Sequence, residues 1–234
     1  MNRNIGGTAT RVLTLALAMV TVATATYAQR PKGQSAAKGE DRISVIDGRT
    51  SGFVLGVSTI GATGLSIPTD GFGSLQTSFG PGAGVMIGYG FNRTFSAFAS
   101  VDVAKQPAND QEVDGNFGLR HLEIGGRANL PFGDGATVPY VTAGLGRRAL
   151  GARIISPDGM QEADLEFSGS MFALGGGVEH SFSSSLAMDG GVELGFGRFN
   201  SVEFNGMKAT ANVGGSNTIR LRAGVTWRPA RRGK

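Results

Sequence analysis

The residues best equipped for chemistry are His180-Ser181-Phe182-Ser183, with Glu193 further on: a base, two hydroxyls and a carboxylate, the components of an activated serine nucleophile. Their surroundings argue against that use. His180 continues the row Phe172, Leu174, Val178, a slot suited to an interfacial aromatic ring. His121, the other histidine, has no second histidine nearby in sequence, so a hydrogen-bonded structural role is expected rather than metal ligation. Gly144-Leu145-Gly146-Arg147-Arg148-Ala149, with Asp164 about 20 residues later, has the letters of a dinucleotide fingerprint. That motif needs a helix opening at its glycines, and Gly151, Pro157 and Gly159 interrupt one. Cysteine is absent, which excludes thiol catalysis and thiolate metal sites. No catalytic, metal or cofactor-binding residue is therefore assigned, and no cofactor is expected.

The elements that carry these residues are strands. From Thr218 to Trp227, Ile219, Leu221, Ala223, Val225 and Trp227 alternate with Arg220, Arg222, Gly224 and Thr226, and successive side chains leave a strand on opposite faces. Eight such stretches of about ten residues, the length of a tilted membrane-crossing strand, run through residues 52–61, 82–92, 94–104, 120–130, 138–148, 167–182, 186–197 and 218–227. The sixth is longer than the rest and is expected to begin inside its loop. Each strand has one nearly charge-free face, such as Val85, Ile87, Tyr89 and Phe91 on the second, or Leu122, Ile124, Ala128 and Leu130 on the fourth.

The connections alternate in length. Long segments at 62–81, 105–119, 149–166 and 198–217 are separated by the Asn92-Arg93 turn, the short link 131–137 and the serine turn 183–185. Loops elaborated on one rim and tight turns on the other are the pattern of an up-and-down membrane barrel.

At the amino end, Arg3 and Arg11 precede an apolar stretch from Val12 to Ala25, and Thr26-Tyr27-Ala28 offers small residues for cleavage. The stretch is too short for a spanning helix, which takes about 20 apolar residues. The expected organisation is a signal peptide at 1–28, a flexible periplasmic segment at 29–51, a barrel at 52–227 and a basic periplasmic tail at 228–234. The sequence pI of 9.8 belongs to the ends. Residues 52–227 hold 11 Lys/Arg against 15 Asp/Glu, a net of −4, so nucleic acid is not an expected partner.

The segments GAGVMIGYGF, PYVTAGLG, ALGGGVEHSF, LAMDGGVELGF and IRLRAGVTW, in this order, resemble the small outer-membrane β-barrel family, the OmpA/OmpX-like barrels of Gram-negative bacteria. The resemblance covers residues 52–227. It implies an all-β fold, an eight-stranded antiparallel up-and-down transmembrane β-barrel in the outer membrane, reached by Sec-type export. It also implies a closing strand read by the insertion machinery through Gly224, Val225 and Trp227, after passage with periplasmic chaperones. Two departures stand out: RPARRGK follows Trp227, and the girdle tyrosines of the mature chain would be only Tyr89 and Tyr140.

With lipid on the apolar face, Asp102, Glu123, Arg127, Arg148, Glu179, Asp189, Glu193, Arg220 and Arg222 point into a lumen just wide enough for side chains to fill. Five acids and four bases are expected to pair as a plug, with inward glycines making room for the arginines. The function expected is non-enzymatic: envelope integrity, or surface interaction and adhesion through loops that meet lipids, lipopolysaccharide or a surface ligand. The alternatives are a small or gated channel, a lipid A-modifying enzyme and a soluble exported lipocalin-like binder. The enzyme reading lacks the asparagine-rich pattern of the group that uses a His-x-Ser motif, and puts His180 beside a short turn, on the rim away from lipid A.

Overall fold

The computed structural model describes residues 51–63, 66–69, 73–76, 79–107, 116–130, 136–155, 162–210 and 215–229. The expected signal, the lead-in before Ser51 and the tail after Pro229 lie outside the described residues. Within them the elements are β1 (Gly52–Thr63), β2 (Ser66–Thr69), β3 (Gly73–Gln76), β4 (Gly80–Gly90), β5 (Phe95–Pro107), β6 (Asn116–Asn129), β7 (Thr137–Ile155), β8 (Glu162–Ser181), β9 (Leu186–Phe204), β10 (Met207–Thr210) and β11 (Gly215–Trp227).

Eight of these, β1, β4, β5, β6, β7, β8, β9 and β11, pair in that order, each antiparallel to the next. β11 then returns to β1, from Leu55↔Trp227 to Thr63↔Ile219, and closes the ring. Closure removes the sheet edges, so the strand amides find partners without water, as a bilayer demands.

The faces follow the alternation. Ile124 is 64% exposed and Leu145 62%, whereas Arg148 is 2% exposed and Glu123 1%. A soluble carrier would reverse these values, so the lipocalin-like alternative is set aside. Short polar turns form one rim. Asn92 Oδ1 accepts from the amides of Thr94 and Phe95, both at 2.8 Å, and Ser183 Oγ accepts from those of Ser185 and Leu186 at 3.2 and 3.0 Å. Near this rim Phe53, Tyr89 and Phe91 stack edge to face with centroids 5.4 and 5.6 Å apart, and Trp227 is exposed beside them in the strand order.

Three expectations need correction. β7 and β8 do not stop at the bilayer-crossing length: they pair with each other from Thr137↔His180 to Ile155↔Glu162, so β8 is a long strand rather than a loop followed by a strand. Two strands that satisfy each other's backbone can continue past the membrane edge. The fourth long connection also carries strands. β9 runs to Phe204, turns through Asn205 (φ 48°) and Gly206 (φ 80°), and returns as β10. Positive φ at both central residues is the tight hairpin turn for which Asn-Gly is best suited. Finally, Tyr140 is no girdle residue: it faces the lumen and is 8% exposed.

Inside the half nearer the long connections lies a small apolar core of Ala62, Ala104, Phe117, Leu119, Leu150 and Phe199, with Phe167 packed against it. Phe117, Leu119, Leu150 and Phe199 belong to stretches that read from the sequence as loop or loop margin, so this apolar cluster adds to the ionic plug expected there. A register shift at Ser168/Gly169 opposite Phe199 and Ser201 leaves Asn200 unmatched, a β-bulge that bends β9 where the plug begins.

Candidate functional site

The lumen gathers the charged residues. All nine predicted side chains lie on inward positions. At mid-height Arg220 of β11 pairs with Asp102 of β5, Glu123 of β6 and Glu193 of β9, the Glu123 contact measuring 2.6 Å. Arg222 adds a second bond to Asp102 at 3.0 Å. One guanidinium thus ties β11 both to its neighbour β9 and to the sequence-distant pair β5 and β6, and its planar fork suits several carboxylates at once.

Closer to the short-turn rim, Arg127 reaches Glu179 at 2.9 Å, donates from Nε to Asn129 Oδ1 at 2.9 Å, and lies 3.8 Å over the Tyr140 ring. Arg228 also reaches Glu179, at 2.7 Å. Asp189 is held by hydroxyls instead: Thr226 donates to it at 3.2 Å and Tyr140 at 3.4 Å. Arg148 lies on the neighbouring strand β7, buried in the lumen. It opposes His121 across β6 and β7, with Nη2 3.8 Å from the Met171 sulfur.

Glycine makes this density possible. A Cβ on Gly84 would run into the Asp102 carboxylate, one on Gly144 into that of Glu123, and one on Gly195 would come within 2.9 Å of the Arg148 guanidinium. Gly177 and Gly191 border the Tyr140 hydroxyl in the same way. The inward glycines therefore accommodate carboxylates and a phenol as well as arginines.

Three participants escaped the sequence reading. Arg228 falls in the segment expected to be a basic periplasmic tail, although a residue directly after the closing strand is still at the barrel mouth. Tyr140 was counted among the girdle tyrosines, although its parity with Thr142 and Arg148 marks it as inward. His121 was expected to be hydrogen-bonded. It is 3% exposed, and neither ring nitrogen has a hydrogen-bond partner among the described residues.

The hydrolase-like set is not assembled. His180 is outward and exposed, with Nδ1 2.8 Å from Thr137 Oγ1 and its ring against Phe182. Ser181 is inward and buried, Ser183 caps its turn, and Glu193 is engaged by Arg220 inside the barrel. The barrel wall separates base from carboxylate. Gly144 to Ala149 lies within β7, so the fingerprint has no helix to open. No group of three or more potential metal ligands occurs among the described residues.

A closed eight-strand ring with lipid-facing apolar side chains and an ionic interior agrees with the family match, which spans residues 14–215 under the description outer membrane protein beta-barrel domain. The chain belongs to this outer-membrane β-barrel family. Among solved structures, Neisserial surface protein A shares the fold of this outer-membrane barrel at 16% identity and a TM-score of 0.52, over 76% of this chain and 99% of that one. The attachment invasion locus protein Ail of Yersinia pestis is similar at 16% identity and a TM-score of 0.47, over 76% and 99% of the two chains. OprG of Pseudomonas aeruginosa is similar at 10% identity and a TM-score of 0.48, over 77% and 96%. Comparison with curated proteins returned no match.

Proposed function

We propose that this outer-membrane barrel is non-enzymatic and non-conducting, and that it supports the envelope while presenting its strand-borne loops to lipid, host or environment. The observation that carries this reading is the filled lumen. Arg220 and its three carboxylates span the interior at mid-height, and the plug around Leu119, Leu150 and Phe199 lies beyond them. The cavity beside this cluster, between Tyr140, Asp189 and Arg222, measures about 50 Å³, room for only a few waters.

Conductance tests the proposal. The purified protein, inserted into planar lipid bilayers, is expected to give no reproducible unitary steps; steady openings would overturn it in favour of the small or gated channel. Purification from boiled and unboiled outer membranes supplies the control for a closed barrel, through the heat-dependent change in gel mobility.

The reading extends to assembly. Trp227 is exposed on the outer face and pairs across to Leu55 and Leu186, Val225 shares that face, and Gly224 sits inward against Ser58 and the Val57 carbonyl. These three residues serve as the insertion signal despite the residues that follow. Trp227→Ala is expected to accumulate in the periplasm with its chaperones, and an unchanged outer-membrane yield would count against that role.

A further inference from the structure

The outer wall carries a charge pattern that the lumen does not explain. Lys105 on β5, Arg120 on β6, Arg147 on β7 and Arg198 on β9 all point outward and are exposed. The registers bring them into one line. Lys105 opposes Gly118, two positions from Arg120; Arg147 opposes Leu122, two positions from Arg120 on the other side. Arg147 then opposes Ser170, which opposes Arg198. Same-face diagonal neighbours on adjacent strands lie about 7–8 Å apart, within reach of long side chains.

Their height is equally regular. Ten positions separate Lys105 from Phe95, Arg120 from Leu130 and Arg147 from Thr137, and twelve separate Arg198 from Leu186, all counted from the short-turn rim. About 9–11 tilted residues cross a bilayer, so the four cations stand where the apolar band ends and the outer headgroups begin. Two positions nearer the short-turn rim on the same strands are Val103, Leu122, Leu145 and Phe196, all exposed and apolar.

The arc covers one side only. At the same level β1, β4 and β11 present Gly61, Pro81 and Asn217. A belt that merely marked the membrane edge would have no reason to avoid those strands. Among the described residues Glu166 tempers the arc: it lies 3.9 Å from Arg120, whose side chain is 70% exposed.

We propose that this arc docks a phosphorylated lipid of the outer leaflet. Its phosphates would meet Lys105, Arg147 and Arg198, and its acyl chains would lie along the apolar residues beneath. Cations aligned above an apolar wall are complementary to an amphiphile with anionic phosphates above its chains, and to neither a free anion nor a neutral lipid. The inference rests on the proposed orientation, with the long connections outward.

The test uses the purified full-length mature protein in non-ionic detergent. Binding of bisphosphorylated lipid A, of the same lipid enzymatically dephosphorylated, and of inorganic phosphate is measured by native mass spectrometry. Lipid A is expected to bind, with dephosphorylation weakening it about tenfold or more. Arg147→Gln with Arg198→Gln should weaken lipid A binding by a similar factor, since each cation near an anionic lipid surface contributes on the order of fivefold. Arg147→Lys with Arg198→Lys should retain most of the binding, Glu166→Gln should match or exceed the wild type, and Arg93→Gln, on the opposite rim, should leave it unchanged. Equal binding of phosphorylated and dephosphorylated lipid, undiminished binding by the double glutamine variant, or displacement by millimolar inorganic phosphate would each overturn the proposal. Heat-dependent gel mobility of every variant, and protease access to the long connections on whole cells, separate these failures from failure of the barrel or of its orientation.

Discussion

The two halves of the lumen are built by the same eight strands with the same alternation, yet among the described residues an apolar cluster occurs in only one of them. Nearer the short turns, five carboxylates are held by arginines, hydroxyls and a tyrosine. Nearer the long connections, Leu119, Leu150, Phe117 and Phe199 pack as a core one would expect in a soluble protein. The polar half specifies register, because a one-residue slip would carry each charge into lipid. The apolar half adds packing free energy to the strand ends nearer the long connections. The difference shows that an inward position in a small barrel is committed to being filled, with the filling chosen by height.

Substitutions can break this contrast or sharpen it. The largest effect is expected for Arg220→Ala, which strands three buried carboxylates and should destabilise the barrel by about 3–5 kcal/mol. Denaturant unfolding in detergent, read from the heat-modifiable gel band, measures it, and a loss no larger than that of a surface variant would show that the mid-lumen cluster does not hold the strands. Leu150→Ala, in the plug, should cost about 2–4 kcal/mol through the cavity left behind. Its loss should be insensitive to salt, so a salt-dependent effect would contradict stabilisation by apolar packing. Gly144→Ala should cost about 1–3 kcal/mol, because the added methyl meets the Glu123 carboxylate and forces it to move. Pairing it with Glu123→Gln in a double-mutant cycle should reveal coupling between the two sites. Arg228→Gln should have the smallest effect, about 0.5–1.5 kcal/mol, since Glu179 keeps Arg127. Because Arg228 is at the wet mouth, that difference should shrink as salt rises, whereas the Arg220 effect should persist.

Much of the polar half could be read from residue types. Charges at Asp102, Glu123, Arg220 and Arg222 fall on the strand face opposite Val101, Leu122, Leu221 and Val225, and parity alone assigns them inward. The apolar plug is legible by the same rule, since Phe117 and Leu119 continue the parity of His121 and Glu123. The bilayer-length criterion ended the strand at Arg120, but a strand ends where its partner stops pairing and not where the membrane does. The β9–β10 hairpin carried a direct signal in Asn205-Gly206. Its neighbours Met207 to Thr210 lack the strong alternation that marks the barrel strands, and all four are exposed.

Alternation, turn chemistry and the order of long and short connections determined that this chain forms strands, which side of each meets lipid, and that eight of them close in sequence. These are local properties, because a strand's two faces differ at every second residue whatever lies beside it. Only the closed structure decided that Arg220 would meet carboxylates 118 and 97 residues away, that Glu179 would be shared by Arg127 and Arg228, and that four outward cations would align into one arc. Such meetings depend on the stagger between neighbouring strands, which accumulates around the ring and is settled by all the pairings together.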